Sequence, residues 1–272
     1  MDQMKLFGFI GAGNMGYPLM KAAVEVFGRE EVVYTDASEQ RRQFVTEETK
    51  ISAAENNISV VKQCKILVLA VKPQFFSAVM EEIKPYVTNE QVIISIAAGI
   101  KIDTIKNGLG SLARIVRAMP NTPAMVNQGM SGICYSKDAF SKEERDIVDK
   151  FFSSFGKYEV FDEQLMNAVV CANGSSPAYV YMFIEALADS VVNYGIPRDK
   201  AYILAAQTVL GSAAMVLETG EHPGKLKDNV CSPGGTTIAA VKALEEYGFR
   251  NAIMKATDAC YEKAALMSNH KA

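Results

Sequence analysis

The stretch Leu6-Phe7-Gly8-Phe9-Ile10-Gly11-Ala12-Gly13-Asn14-Met15-Gly16 decides the fold. Its first five residues read as a buried strand, and a G-x-G-x-x-G pattern follows at once and opens a helical pattern over 14–27. A bare glycine pattern is weak, but here Asp36 closes the next predicted strand, 20 residues past Gly16. Gly11 allows the tight turn, Gly13 lets the backbone meet a pyrophosphate, and Gly16 permits close helix packing. With Ala12, Asn14 and Met15 they form a loop that sets a diphosphate on the positive end of a helix. A glycine-rich turn with no ligand would not require the strand, the helix and the acid together, so dinucleotide binding is the expectation.

Working outward, strand and helix alternate: 6–10 then 14–27, 32–35 then 39–48, 66–70 then 75–84, and 92–96. This alternation predicts an α/β fold, a Rossmann-type doubly wound parallel sheet covered on both faces. Segments 115–118 and 132–135 can add strands. Ser141-Lys142-Glu143-Glu144 is a capping box opening a helix that should stop near Gly156, and 158–161 reads as the last strand. Past Asp162 the patterns become long and helical. Pro177 stands in a first helical turn, with Val180, Phe183, Ile184, Leu187 and Val191 on one stripe and a stop at Gly195. Further helices are expected over 198–219, 236–247 and 251–268. The chain therefore divides into a dinucleotide-binding domain, 1–162, and an all-helical domain, 163–272.

Composition excludes several classes. Of 272 residues 49% are hydrophobic and the formal net charge is −3, which suits folded domains and argues against a nucleic-acid partner. Five widely spaced cysteines, with no Cys-x-x-Cys pair, read as reduced thiols of a cytoplasmic protein, and no metal-ligand spacing is present. The N-terminus leads into a strand without a signal-peptide pattern. Segments 164–184 and 201–217 lack charges. The first is broken by Asn173-Gly174-Ser175-Ser176-Pro177 and the second is short for a membrane, so burial in a core or between subunits is expected of both.

Asp36 would accept hydrogen bonds from a ribose 2′-hydroxyl, which favours NAD(H). Ser38, Arg41 and Arg42 pull toward a 2′-phosphate, although the two arginines also fit a solvated helix face. Ala70-Val71-Lys72-Pro73 and Ala97-Ala98-Gly99 each end a predicted strand, where open parallel sheets bind ligands.

The second chemical feature is Asp228-Asn229-Val230-Cys231-Ser232-Pro233-Gly234-Gly235-Thr236-Thr237-Ile238. A Pro-Gly-Gly turn before a helix start leaves outward amides for a small carboxylate; an ordinary turn with a Thr cap is the alternative.

With Gly11 to Gly16, Ala70 to Pro73, Met119-Pro120-Asn121-Thr122-Pro123, Ser176-Pro177-Ala178-Tyr179 and Asp228 to Thr237 on the page, the chain resembles the pyrroline-5-carboxylate reductase family over essentially its whole length. The resemblance implies NAD(P)H-dependent reduction of the cyclic imine L-1-pyrroline-5-carboxylate to L-proline, the last step of proline biosynthesis. It implies a helical domain that forms homodimers, with dimers gathered into a decamer, and it favours NADP(H), while Asp36 leaves NAD(H) open. By position, Asn57, Ala70, Val71, Lys72, Pro73 and Ala97, Ala98 and Gly99 would line the cofactor, with Asn57 near the adenosine ribose. Asn229, Val230, Gly234, Gly235, Thr236 and Thr237 would form the substrate site. The carboxylate would lie on the amides of Gly235, Thr236 and Thr237, and the Thr237 hydroxyl at the ring nitrogen. Where the family reads Ser-Gly-Ser-Gly-Pro-Ala-Tyr, this chain reads Asn173-Gly174-Ser175-Ser176-Pro177-Ala178-Tyr179.

Imine reduction needs orientation and a hydrogen bond to nitrogen more than a strong acid, which suits a chain with two histidines. His222 could donate a proton or be a turn residue beside Pro223-Gly224, and His270 falls in the tail. Rival functions are reduction of a six-membered imine, oxidation of a β-hydroxyacid, and cofactor binding without turnover. The oxidation wants a lysine base, and Lys200 reads as a helix-start surface residue.

Overall fold

The computed structural model describes residues 4–269, so His270 lies outside the described residues. Strands β1 Lys5–Ile10, β2 Val32–Thr35, β3 Cys64–Leu69, β4 Val92–Ser95, β5 Arg114–Met119, β6 Gly129–Tyr135 and β7 Gly156–Val160 form one sheet in the order β2-β1-β3-β4-β5-β6-β7. The chain reverses direction across the sheet between β1 and β3, and the crevice outside the carboxyl ends there is where such sheets take ligands.

The expected all-parallel sheet is corrected at one strand. β1 to β5 are parallel, but β6 runs antiparallel to β5, with Arg117 opposite Cys134. Residues 120–128 make the connection with a 3-10 turn, Thr122–Val126, too short for the dozen or more residues of a parallel crossover. β7 returns parallel to β6.

Helices α1 Gly16–Phe27, α2 Glu39–Thr49, α3 Asn57–Val61, α4 Pro73–Ile83, α5 Ile102–Leu109 and α6 Lys142–Ser153 accompany the sheet. The α6 capping box forms as expected: Ser141 Oγ accepts the Glu144 N–H at 3.1 Å and Glu144 carboxylate accepts the Ser141 N–H at 2.8 Å. α6 stops at Ser153, near Gly156 as expected, and Gly156 opens β7, where a Cβ would stand 1.9 Å from the Gly129 carbonyl oxygen. α3 and α5 were not expected. α3 is too brief to show periodicity, and α5 carries Gly108, a poor helix former.

Alternating side chains bury both faces of the sheet. Phe7, Phe9, Ile66, Val68, Ile94 and Val116 pack on one side with Phe151 and Phe152 of α6. Ile10, Leu67, Leu69, Ile93 and Ile115 pack on the other with Phe76 of α4 and Ile105 of α5. This two-sided burial is why the strands read as continuous apolar runs.

By packing, one compact unit runs up to Ser175 and resumes at Cys260, and the other is Ser176–Ala259. The break at 162/163 read from composition therefore differs from the packing division. The reason is that Met166 and Val169 of α7 Met166–Val169 are buried in the second sheet-face core. Segment 164–184, expected to be broken at Asn173 to Pro177, is a 3-10 turn, α7, a π-helical turn Val170–Gly174 and the start of α8 Ser176–Val192, so the break falls where the sequence put it.

The helical unit contains α8, α9 Arg198–Thr219, α10 Pro223–Val230 and α11 Thr236–Glu246, and α12 Phe249–Asn269 begins in it. α10 was not expected. The core of this unit is small: Ala188, Ala201 and Ala205, ringed by Ile184, Leu187, Val191 and Ile196. α9 has the length and apolar composition to cross a membrane, yet only 11% of its apolar window is buried within this chain. The expected burial is thus not supplied by the chain's own core. Tyr181, Met182, Ile203, Leu204, Leu210, Leu217 and Met254 stay exposed on α8, α9 and α12. Exposed apolar surface of this extent marks an association face. Sedimentation velocity at micromolar concentration is expected to show no stable monomer; a monomer with native helical circular dichroism would show that these faces tolerate water.

Candidate active site

The cofactor loops leave the sheet at one level because the strands are in register: Ile10 pairs with Thr35 and with Leu69, and Leu69 with Ser95. Gly11, Asp36, Ala70 and Ile96 therefore follow neighbouring strand ends. Gly11 takes φ 95°, its N–H donates to the Thr35 carbonyl at 2.9 Å, and a Cβ there would be 2.7 Å from the Ala70 carbonyl oxygen. A Cβ on Gly16 would be 2.3 Å from the Gly11 carbonyl oxygen, whereas one on Gly13 would meet nothing within 4 Å. Gly11 and Gly16 are thus required by the protein's own packing. The open face at Gly13 is a cradle that a ligand can fill, at the start of a helix with no acidic residue in its first turn.

Asp36 is tied into this loop. Its Oδ2 accepts the Ala12 N–H at 2.8 Å and its Oδ1 accepts the Ser38 N–H at 2.9 Å. A carboxylate has lone pairs left for a ribose hydroxyl, but its main duty in this chain is to join two loops. Ser38 caps α2, accepting the Arg41 N–H at 3.3 Å. Arg41 and Arg42 both turn back toward the strand ends. Arg41 donates from Nε to the Ala12 carbonyl at 2.5 Å and from Nη2 to the Gly13 carbonyl at 3.4 Å, while Arg42 Nη1 donates to the Asp36 carbonyl at 2.6 Å. The Arg41 guanidinium also lies 5.0 Å from the Tyr17 ring centroid and 4.8 Å from that of Phe44. Two cations and a helix N-terminus thus stand beside the glycine loop, an arrangement for an anionic group.

Lys72 is exposed as the residue before α4, with Pro73 at the first helical position; Ala70 and Val71 are half-buried. Ala97 is buried and Gly99 takes φ 79°. The Asn57 amide donates to Glu82 Oε2 at 2.7 Å. Asn14 and Met15 lie in the loop as expected, with Met15 as the residue preceding α1.

The segment expected to hold the substrate, described within the helical unit, has a turn at 232–235 in which the Gly235 N–H donates to the Ser232 carbonyl at 3.1 Å and Gly234 takes φ 70°. Gly235 precedes α11 without a side-chain cap, and the first turn holds no acid. The N–H groups of Thr236, Thr237 and Ile238 are those that a helix leaves without internal partners. Thr237 is half-buried and Thr236 exposed. Asn229 and Val230 end α10, both exposed. His222 caps α10, its Nδ1 accepting the Gly224 N–H at 3.0 Å, so the turn-residue reading is the one observed. Lys200 lies exposed in the first turn of α9. All five cysteines are free, and burial pushes the Cys64 thiol up to about 12 and that of Cys134 to about 11. Those two are poor nucleophiles.

Two polar clusters were missed from sequence. Arg117, 4% exposed, pairs with Glu163 at 3.1 Å on the sheet. The signal was an arginine inside a strand otherwise buried, where a charge needs a partner. In the other, Asn173 Nδ2 donates to the Met119 carbonyl at 2.6 Å and Asn121 Nδ2 to the Asn173 carbonyl at 3.3 Å. This cluster ties the Met119-Pro120-Asn121 segment to the π-helical turn.

A Rossmann-type domain with this glycine loop, joined to an all-helical domain, defines a dinucleotide-dependent oxidoreductase. Residues 6–99 match the family model described as NADP oxidoreductase, coenzyme F420-dependent, and residues 163–267 match pyrroline-5-carboxylate reductase dimerisation. The pyrroline-5-carboxylate reductase of Escherichia coli (strain K12) is 45% identical over 267 residues, covering 97% of this chain and 98% of the relative. That of Pisum sativum is 40% identical, over 96% and 95%. The crystal structure of Plasmodium falciparum pyrroline carboxylate reductase with NADP bound superposes with a TM-score of 0.88 at 33% identity, covering 99% of this chain and 100% of that one. The chain belongs to the pyrroline-5-carboxylate reductase family.

Gly16→Ala is expected to lower the apo melting temperature, since overpacking costs about 1–3 kcal/mol of stability, and to weaken NADPH binding by displacing the start of α1. Gly13→Ala should keep the apo melting temperature while also losing affinity. Titration of NADPH fluorescence with a parallel thermal melt checks both.

Proposed function

We propose that the chain reduces L-1-pyrroline-5-carboxylate to L-proline with NAD(P)H by holding the substrate carboxylate at the start of α11 and its ring nitrogen at Thr237. The observation that carries this reading is the 232–235 turn. It engages the Gly235 N–H internally and presents the next three amides of an 11-residue helix with no competing acid. A small carboxylate complements that end of a helix.

Bound NAD(P)H would supply the hydride. The glycine loop and the α1 N-terminus would hold its diphosphate, and Ala97, Ala98 and Gly99, with Ala70, Val71, Lys72 and Pro73, would flank its nicotinamide half. A protonated imine is the better hydride acceptor, and its N–H would donate to Thr237 Oγ1, which fixes the ring plane. The same hydroxyl can then hold the nitrogen as it becomes an amine, so no histidine is needed. The exposed, capping position of His222 supports this economy.

For the cofactor, Ser38, Arg41 and Arg42 support NADP(H) over NAD(H). Asp36 accepts from two backbone amides, and Arg41 and Arg42, held on backbone carbonyls beside it, keep further N–H groups for a 2′-phosphate. Asn57 in this reading would have to release Glu82 to reach a ribose. Homodimers built on the exposed helical faces, and decamers built from them, belong to the same proposal, as does a cytoplasmic location, which the free thiols support. The Asn173 to Ser176 departure bears on substrate range.

Cofactor oxidation followed at 340 nm should be fast with L-1-pyrroline-5-carboxylate and slow with its six-membered homologue or, in reverse, a β-hydroxyacid. In that assay Thr237→Ala should lower kcat about tenfold, the loss of one transition-state hydrogen bond of about 1.4 kcal/mol. Unchanged kcat and kcat/KM would remove Thr237 from the mechanism. Arg41→Ala should raise KM for NADPH about tenfold, from the roughly 1.5–3 kcal/mol of a charged hydrogen bond, and barely move that for NADH. Equal effects on both cofactors would assign Arg41 to loop structure alone.

A further inference from the structure

We infer that Glu163 is a positioning residue for the nicotinamide half of the cofactor, acting through the backbone of Ile102; this rests on the proposed role of Ala97, Ala98 and Gly99.

The loop 96–101 joins the end of β4 to the start of α5, and it is held at both ends. At the strand end, the Ile96 N–H donates to the Leu69 carbonyl at 3.2 Å. At the helix end, Lys101 precedes α5 without a side-chain cap from its own segment. The first helical N–H, that of Ile102, donates instead to Glu163 Oε1 at 2.7 Å, from 61 residues away. A helix start accepts a carboxylate favourably, and without one its outward amides would have to find other partners.

Glu163 is itself fixed. The same Oε1 accepts from Arg117 Nη1 at 3.1 Å, and the Arg117 side chain is 5% exposed against 31% for Glu163. Arg117 lies on β5 beside Ser95, the last residue of β4, by strand register. One carboxylate thus ties the sheet directly beneath the loop to the helix that the loop enters. Gly99, at φ 79°, sits between these two anchors, so a shift at Ile102 passes along a short backbone to the three residues assigned to the nicotinamide. Misplacement of a reacting ring by about 1 Å is worth up to a hundredfold in rate.

The test compares Glu163→Ala with Glu163→Gln. Both leave Arg117 without its counter-charge, so any loss of stability from that cause is shared; only Gln keeps a side-chain oxygen for the Ile102 N–H. Glu163→Gln is expected to keep kcat within about threefold of the wild type and Glu163→Ala to lose about tenfold or more. Glu163→Ala should also weaken NADPH in a fluorescence titration while binding 2′,5′-ADP, which lacks the nicotinamide, as the wild type does. Should Glu163→Ala fail to fold, Ile102→Pro removes the same N–H and leaves the ion pair intact. Proline suits a first helical position, and Lys101 before it is already extended, at φ −83° and ψ 156°. It should show the same loss for NADPH and none for 2′,5′-ADP. Equal kcat for the Ala and Gln variants, or parallel losses for both ligands, would overturn the inference. A wild type that binds NADPH but turns over no imine would overturn the proposed reaction instead, and the ratio of the two affinities would still judge Glu163.

Discussion

The close approach of α1 to the end of β1 is the constraint on which the nucleotide-binding half depends. No Cβ fits at Gly16, because it would press on the Gly11 carbonyl, and none fits at Gly11, because it would press on Ala70. That contact fixes three elements together: β1, β3 and the helix between them. It places the positive end of α1 at the carboxyl edge of a sheet buried on both faces. A wider separation would leave room for side chains at Gly11 and Gly16 and move the helix amides away from the crevice. The neighbouring loop is locked to the same turn by a carboxylate, Asp36, and by a guanidinium, Arg41, which lies against the edge-to-face pair of Tyr17 and Phe44. The loops at this edge are therefore tied together by the chain's own hydrogen bonds, an arrangement that reduces the ordering cost of binding.

The helical half follows the opposite economy. Its own core amounts to a few alanines and their neighbours, and long apolar faces remain on α8, α9 and α12. Small residues at the α8–α9 contact let the two helices pack closely, but they bury little area, so association must supply what the chain does not. The dimerisation family matched by residues 163–267 accords with this surface. Within that half the proposed chemistry would be carried largely by backbone: the Pro-Gly-Gly turn leads into α11, and Thr237 sits in its first turn. Function here asks little of titratable side chains, which agrees with a reaction that orients an imine rather than ionising a strong acid or base.

Much of the fold was legible because its signals are local. Glycine spacing, apolar runs of strand length and the Ser141 to Glu144 capping box each depend on a few adjacent residues, and each reappears in the structure. The antiparallel turn of β6 was less visible, since strand direction is set by the length of the connection at 120–128 rather than by the strand residues. α3 was missed because five residues are too few to show periodicity, and α5 because Gly108 interrupts an otherwise helical spacing of Ile102, Ile105 and Leu109. Of the candidate site, the two glycine turns and the places of Asp36 after β2 and Thr237 in the first turn of α11 were legible from local pattern. Asn57 and the arginines were harder, because a long polar side chain near a strand end can turn to several partners. In the structure Asn57 turns to Glu82, and Arg41 turns to the glycine loop.

By itself the sequence determined the main alternation of strands and helices, the two glycine turns and the family, all of which rest on residue type at fixed spacing. Tertiary structure alone decided the long-range pairings: Arg117 with Glu163, Glu163 with Ile102, Asn173 with Met119, and the packing of Met166 and Val169 on the sheet. The physical reason is that a buried charge or amide must find a partner, yet chain spacing does not say which of several distant groups will stand within 3 Å of it. That choice follows from strand register and helix placement, which exist only once the core has closed.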